Sequence, residues 1–552
     1  MKPQSLASHR PAATTSSALL REWASLTPDA VAITFNGEHI TFADLDRDVD
    51  AWARSLLAAG IQRGQSISVL TGNHPHFLRA AFAAARVGAH LAPLNTWHTA
   101  AELLYTLAHS EAALLLATDQ IRRVNYNKIL STFLPELTDP GPRDSYTRCP
   151  DLHSVVALGE PLPGAQSLAE FLRRGDEIDP VELAAREREN TSHDLMYVLY
   201  TSGSTSTPKG VQLHQGPAIE NGWWIGERQG ILAQDRSWLA TPLFYGLAAI
   251  QALFATWTHG ARVVLQEVFD PAAALELLHD QRCTVYYGFG NLTRKLVTQP
   301  GFDRSRLFLR KGMIGFSVED RRLAIDELGV TNGVSVFGMT ETYGLIALTD
   351  YRDDRETVMT TQGRPLPGSE IRITDPFSDV PLPNGEVGAI QVRGRITSGY
   401  LKDPDRTAAA FTPDGFFRTG DLGALDSDGR LIYHSRATEV MKPAGVNVSP
   451  QEVEALLDTV PGITQAYVCS MPDDIDGEAV VAFVEADPAT TTEEFIRSYL
   501  RERAASYKIP RHYIYRTDEQ IPRLASGKIS RPRLRQEAIH ELQPPGTVEG
   551  SR

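Results

Sequence analysis

The sequence predicts an α/β protein: a large N-terminal domain of stacked α/β subdomains plus a small β-rich subdomain, followed by a small mobile α+β C-terminal domain. Three observations carry this. At 552 residues the chain exceeds what one hydrophobic core spans, so it divides. Helical and strand patterns alternate through most of the chain, as expected for helices layered on parallel sheet. Beyond about Gly363 the pattern changes to short strands with turns, and the last hundred residues form a further unit.

The elements follow in order. Residues 1–16 (MKPQSLASHRPAATTS) carry Lys and Arg without an apolar stretch, so they read as a loose tail and not a signal peptide. Leu45–Ala59 has helical spacing and ends near Gly60; Ser66–Leu70 is a buried strand; Pro75–Val87 is a helix closed by Gly88. Strand-like runs recur at 113–117, 154–158, 196–199, 261–265 and 284–287, with helical segments such as 272–279 between them. The β-rich part holds 370–374, 388–393 and 429–433. The C-terminal unit has a helix at 450–457, strands at 465–470 and 479–485, and a helix at 492–504, in a βαβ-like order. The boundaries expected are 17–438 for the N-terminal domain and 439–541 for the C-terminal one, with a second tail at 542–552.

Composition removes several classes of function. Cys149, Cys283 and Cys469 lie far apart without paired spacing, which excludes a cysteine-rich metal site and a disulfide framework and fits a cytoplasmic protein. No apolar run approaches the ~20 residues that a membrane helix needs. A net charge of −14 argues against nucleic acid as a partner, so phosphate binding should be local, through a loop and a few placed cations.

Such a loop is present. Thr201-Ser202-Gly203-Ser204-Thr205-Ser206-Thr207-Pro208-Lys209-Gly210 follows the apolar run 195–199, so a buried strand opens into a loop dense in hydroxyls. Gly203 permits close backbone approach, amides and hydroxyls donate to phosphate oxygens, and Lys209 supplies a cation. No second glycine stands before Lys209, so this is not the P-loop of the common nucleotide hydrolases.

With that loop in place, residues 17 to 540 resemble the adenylate-forming superfamily, which includes acyl-CoA synthetases, peptide-synthetase adenylation domains and luciferases; the layout is nearest to free-standing acyl-CoA ligases. TSGSTSTPKG is similar to the family's phosphate loop, and Phe337-Gly338-Met339-Thr340-Glu341 to its YGxTE segment. Gly363-Arg364-Pro365 with Gly368, Arg418-Thr419-Gly420-Asp421, the stretch 436–454 and Gly527-Lys528-Ile529 match four further motifs in order.

The resemblance implies activation of a carboxylic acid by ATP to acyl-AMP with release of pyrophosphate, then transfer to a thiol. Two anions must meet, so placed cations and metal matter more than a general base. Lys528, Thr340 and Glu341 are the implied catalytic residues: Lys528 bridges carboxylate and α-phosphate, Thr340 gives a hydroxyl to the α-phosphate, and Glu341 ligates Mg²⁺. Thr201, Ser202, Gly203, Ser204, Thr205, Lys209, Gly315, Phe337, Gly338, Met339, Asp421 and Arg436 are the further nucleotide candidates. Asp421 is assigned to the ribose hydroxyls, and Phe337 stacks on adenine where the family usually has tyrosine. Glu439 stands at the hinge, and Lys442 and Gly445 at the pantetheine tunnel.

Departures from the pattern gather around the acid pocket and hinge. Ser206 replaces a customary glycine, Thr438 a lysine and Ser435 a glycine; Tyr245 stands where many CoA ligases have histidine, and Phe316 where the family keeps a small residue. Trp223, Trp224, Tyr245, Tyr287, Gly288, Phe289 and Phe316 are the candidates to line the acid site, suiting a bulky or unusual acid of secondary metabolism. CoA is the expected acceptor, with a carrier-protein phosphopantetheine second. Two alternatives stay open: an adenylating enzyme that hands acyl-AMP to a carrier protein or partner ligase, and a non-catalytic nucleotide-binding homologue.

Overall fold

Ala112–Ala117, apolar throughout, and Ser66–Leu70, in which two serines alternate with apolar residues, are buried along their whole length in the computed structural model, as strands covered on both faces are. The structure describes residues 9–139, 145–201, 208–441, 443, 448–473, 477–501, 503–523 and 529–542. These residues form two units: one runs to Glu370 and includes Val392–Phe417, the other comprises Ile371–Gln391 and the chain from Arg418.

The first unit contains two seven-stranded sheets. One has the spatial order Lys209–His214, Leu195–Thr201, His90–Pro93, Ser66–Leu70, Ala112–Ala117, Ser154–Ala157, Gln166–Ser167. Its neighbours are parallel except the first pair, in which Lys209–His214 returns antiparallel along Leu195–Thr201. The other runs Asn332–Val334, Lys311–Ile314, Val285–Gly288, Arg236–Leu239, Arg262–Leu265, Val31–Phe35, Glu38–Thr41, parallel except at its last pair. The predicted α/β class with parallel pairing is what the chain adopts. Helix Phe42–Ala58 starts at a capping box, Thr41 with Asp44, and packs on helices Pro75–Arg86 and Leu168–Gly175.

An ionic cluster ties these helices together. The Arg86 guanidinium, wholly buried, meets Asp46 at 2.5 Å and Asp50 at 2.7 Å and lies 3.6 Å from Glu187. Arg21 shares the same three carboxylates. Residues 9–16, expected from sequence to be part of a loose tail, are tied to the body of the unit. His9 pairs with Glu22 at 2.6 Å, and the amides of Ala12 and Ala13 donate to the same carboxylate, which holds the segment leading into helix Ser16–Leu26.

The second unit contains most of the four-stranded sheet Glu370–Thr374, Gly388–Arg393, Phe417–Leu425, Leu431–Arg436 and a three-stranded sheet, Gln465–Asp473, Gly477–Glu485, His512–Tyr515. By its sequence the β-rich segment groups with the N-terminal domain; here it shares a unit with the C-terminal residues. Its last strand packs on helix Pro450–Leu457, and the His434 carbonyl accepts from Ser449 Oγ at 3.0 Å. In the three-stranded sheet the first pair is antiparallel and the second parallel, with helix Glu493–Arg501 between the parallel strands, as βαβ order requires. Val480, Ala482 and Val484 face one apolar cluster and Ala479, Val481 and Phe483 another, the two-residue period of a strand buried on both sides.

Candidate active site

The phosphate-loop candidate is closed by a strand pair. Thr201 ends one strand and Lys209 begins its antiparallel return, the two being register partners. Ser202, Gly203, Ser204 and Thr205 lie outside the described residues. Thr201 Oγ1 is buried and finds no hydrogen-bond partner among them. A buried hydroxyl without a partner costs free energy, so an acceptor or donor delivered to this point would be welcome.

Lys209 Nζ donates to Glu341 Oε1 at 2.7 Å and to the Tyr400 hydroxyl at 2.8 Å. The same hydroxyl donates to Glu341 Oε1 at 3.0 Å, and the ammonium lies 4.4 Å from the centre of the Tyr400 ring. Glu341 and Tyr400 are both buried. Burial, then the charge of Glu341, pushes the Tyr400 phenol above its ordinary value, so it stays protonated and acts as a fixed donor. A cation and an anion thus sit at the end of the loop, each satisfied by the other and by one neutral hydroxyl.

The turn that carries Glu341 is pinned from several sides. Thr340–Thr342 is a single 3₁₀ turn ending at Tyr343, which adopts φ 53°. A tyrosine in the left-handed region is held there by its surroundings. Its fully buried hydroxyl accepts from the His214 amide at 2.8 Å, linking the turn to the strand of Lys209. Asn221, from helix Gln215–Gln229, donates to the Tyr343 and Leu345 carbonyls and accepts from Arg395. A Cβ on Gly338 would lie 2.1 Å from the Gly344 carbonyl oxygen, so only glycine lets the two segments close. Thr340 Oγ1 lies 3.7 Å from where a Cβ on Gly246 would sit, which brings the Tyr245 segment beside it. Phe337 is buried, Met339 donates its amide to Thr342 Oγ1, and Gly315 has φ 101° with Asp320 against it.

The acid-pocket candidates divide. Trp223 is buried and stacks on His259, ring centres 4.5 Å apart at 8°, and the Tyr287 hydroxyl, fully buried, donates to Gln229 at 2.6 Å. These two serve packing. Trp224 is half-buried with the Arg10 guanidinium 5.4 Å from its ring centre. Gly288 admits the Tyr286 hydroxyl, which would lie 2.1 Å from a Cβ there. Tyr245 packs on Phe244 at 4.7 Å and Trp97 at 5.8 Å, and burial pushes its phenol up to about 12. Phe289 and Phe316 pair at 6.4 Å, with Phe316 42 % exposed.

In the second unit Asp421 is buried and its Oδ1 lies 2.9 Å from Arg436 Nε, across a strand pair in which the two are register partners. Glu439 accepts from Arg531 Nε at 3.1 Å; Arg531 also donates to Glu454 at 2.7 Å and the Val468 carbonyl at 2.6 Å. Lys442, Gly445 and Lys528 lie outside the described residues.

Tyr400 and Trp97 were not among the residues singled out from sequence. A signal existed for Tyr400: Gly399 at φ 136° precedes it, and Lys402-Asp403-Pro404 follows, where Asp403 caps a short helix. Gln212 donates its amide to the Gly399 carbonyl, so the segment lies along the strand of Lys209.

A lysine, a glutamate and a tyrosine thus meet on a largely parallel α/β body, where a hydroxyl-rich stretch of sequence joins two strands. Comparison with known proteins gives the class its name. Residues 20–401 match the family model of the AMP-binding enzyme, and residues 452–528 that of the AMP-binding enzyme C-terminal domain. The chain is 30 % identical over 534 residues to the acyl-CoA ligase sidI of Aspergillus fumigatus, covering 93 % of this chain and 89 % of that protein. It is 30 % identical over 541 residues to a (methyl-dioxo-octahydroindenyl)propanoyl:CoA ligase of Rhodococcus jostii, covering 95 % and 98 %. Among solved structures, ATP-bound MatB from Rhodopseudomonas palustris is similar with a TM-score of 0.79 at 26 % identity, over 95 % of this chain and 99 % of that one. The chain belongs to the AMP-binding enzyme family, the adenylate-forming enzymes.

Proposed function

We propose that this chain is an AMP-forming acid–CoA ligase for an acid with a bulky apolar body. In the first half-reaction a carboxylate oxygen of the acid bonds to the α-phosphorus of ATP, the bond to the bridging oxygen of the β-phosphate breaks, and pyrophosphate leaves. In the second, the sulfur of CoA bonds to the acyl carbon, AMP departs with the bonding electrons, and the thiol proton passes to solvent.

The observation that carries this reading is the Lys209–Glu341–Tyr400 cluster at the end of the loop that opens after Thr201. On arrival of the triphosphate, Lys209 exchanges the carboxylate for phosphate oxygens. Mg²⁺ fits the residue left behind: Glu341 is a buried carboxylate already accommodating a cation at Oε1, and hard oxygen donors suit that ion. When bound, Mg²⁺ supplies neutralisation of the phosphate charge, and Glu341 would hold it. Thr340 would donate to the α-phosphate, Phe337 would face the adenine, and Asp421 would accept from the ribose hydroxyls with Arg436 beside it. Lys528 would bridge the two anions; Lys442 and Gly445 would line the path of the pantetheine, with Glu439 at the hinge.

Two observations support the acid class. Trp97, Phe244 and Tyr245 form an aromatic group next to Gly246, and Gly246 neighbours Thr340. One relative, by its name, acts on a bicyclic propanoyl group. The test is pyrophosphate release with ATP and a panel of fatty, aryl and terpenoid acids, followed by product analysis with CoA. Acid-dependent release and acyl-CoA formation are expected. Acyl-AMP accumulating without thioester would remove the second step, and no acid-dependent exchange across the panel would overturn the reading.

A further inference from the structure

We infer that Tyr400 is a positioning residue for nucleotide binding: its phenol holds Glu341 in place while Lys209 is transferred from that carboxylate to the incoming phosphates. The inference rests on the function proposed above and adds to it a residue that the motifs do not name.

The geometry is that of an exchange site. Lys209 has two acceptors, Glu341 Oε1 at 2.7 Å and the Tyr400 hydroxyl at 2.8 Å, while Glu341 Oε1 has two donors, Lys209 and the same hydroxyl at 3.0 Å. When Lys209 turns to a phosphate, Glu341 loses its cation but keeps the phenol. Its carboxylate therefore stays aligned for a metal ion instead of following the lysine. A carboxylate could not play this part, since a second anion would hold Lys209 and repel phosphate; a neutral donor does neither. The backbone is placed to make this fixed: the Tyr400 amide donates to Thr407 Oγ1 at 3.0 Å, Leu401 donates to the Gly210 carbonyl at 2.8 Å, and Tyr400 bridges Val211 on the strand of Lys209. The ring also lies under the Lys209 ammonium, 4.4 Å from its centre, so the aromatic face can steady the lysine while the hydroxyl steadies the glutamate.

The two functions of the side chain separate by substitution. Tyr400→Phe keeps the ring and removes the hydroxyl; Tyr400→Ala removes both. The readout is ATP binding by calorimetry in a graded Mg²⁺ series without acid, so no turnover enters. A hydrogen bond to a charged group of this kind corresponds to about tenfold or more in an equilibrium constant. Tyr400→Phe should raise the Mg²⁺ concentration for half-maximal ATP binding about tenfold, and change ATP binding without Mg²⁺ less than about twofold. In acid-dependent pyrophosphate exchange the KM for the acid should hold while the Mg²⁺ requirement rises in parallel. The inference is overturned if Tyr400→Phe matches wild type in the Mg²⁺ series, for then only the ring matters. It is equally overturned if the defect has the same size without Mg²⁺. Should wild type bind ATP in a Mg²⁺-dependent way yet show no exchange with any acid, the proposed function fails while the Tyr400 comparison still reads out. Should exchange be robust and Tyr400→Phe bind normally, the positioning role fails alone.

Discussion

Removing Lys209 and Glu341 one at a time and together separates what the pair does for the fold from what it does for ATP. At 2.7 Å the gross attraction is about 6 kcal/mol for an effective dielectric of ~20. Most of that is offset by desolvation of both groups. Lys209→Met strands the Glu341 carboxylate, whose side chain is only 7 % exposed, with the Tyr400 hydroxyl as its remaining donor in this cluster. Breaking a buried pair typically costs ~3–5 kcal/mol. With the lysine side chain 21 % exposed, water can reach the gap, so we expect a cost at or just under the bottom of that range, about 2–3 kcal/mol. Glu341→Gln keeps shape and hydrogen bonding and should cost about 1 kcal/mol or less. The double variant has no stranded charge and should return to within about 1 kcal/mol of wild type, a coupling of about 2 kcal/mol. Urea unfolding read by tryptophan fluorescence suits this, because all seven tryptophans (Trp23, Trp52, Trp97, Trp223, Trp224, Trp238 and Trp257) belong to the first unit and report on it alone. Activity should behave differently. Each single variant should lose about 10²-fold or more in pyrophosphate exchange, and the double should be no better than the worse single. Stability rescued without rescue of exchange is the expected signature. If Lys209→Met unfolds at the wild-type urea concentration, or the double variant is less stable than either single, the pair does not neutralise itself as described.

Three further outcomes are expected. Arg86→Met leaves Asp46, Asp50 and Glu187 around one remaining guanidinium, Arg21, and should destabilise the first unit by ~3–5 kcal/mol in the same unfolding assay. Burial raises the Glu187 pKa, but the Arg21 hydrogen bond and the Arg86 charge outweigh it, so the folded value lies below the ordinary one. That contribution is present above the unfolded carboxylate pKa and is lost as pH falls through the folded value, so the acid limb of stability should be shallower in Arg86→Met. Gly344→Ala adds a Cβ about 2.1 Å from Gln251 Cγ at φ 94°, and should cost about 2 kcal/mol while displacing the Glu341 turn, measured as reduced ATP affinity. Lys528→Ala should slow acid-dependent exchange by ~10²–10³ with little change in ATP binding; near-wild-type exchange would remove Lys528 from the chemistry.

Much of the fold and part of this site could be read in the sequence, and the division follows from physics. Strands such as Ala112–Ala117, buried on both faces, leave an apolar run that no solvent-facing element tolerates, and the hydroxyl-rich stretch after Leu195–Thr201 has a composition that packing alone does not explain. Pairings between distant segments leave no such trace. Val31–Phe35 completes its sheet against Arg262–Leu265, over two hundred residues away, and nothing within either segment states the register. The aromatic candidates illustrate a second limit. Trp223 and Trp224 are neighbours on one helix, yet the first stacks on His259 inside the unit and the second is half-buried. Hydrophobic spacing asks whether a side chain is covered; it does not say whether a protein ring or a substrate covers it. Tyr400 belongs to the same limit. Its importance comes from one strand bridge to Val211, which brings a hydroxyl from the far end of the unit to a lysine and a glutamate already conspicuous in their own motifs. Motifs therefore mark out candidate groups, whereas the groups that hold them in place come from tertiary contact, here the Tyr400 phenol on Glu341 together with Asn221 and the Tyr343–His214 link that fix its turn.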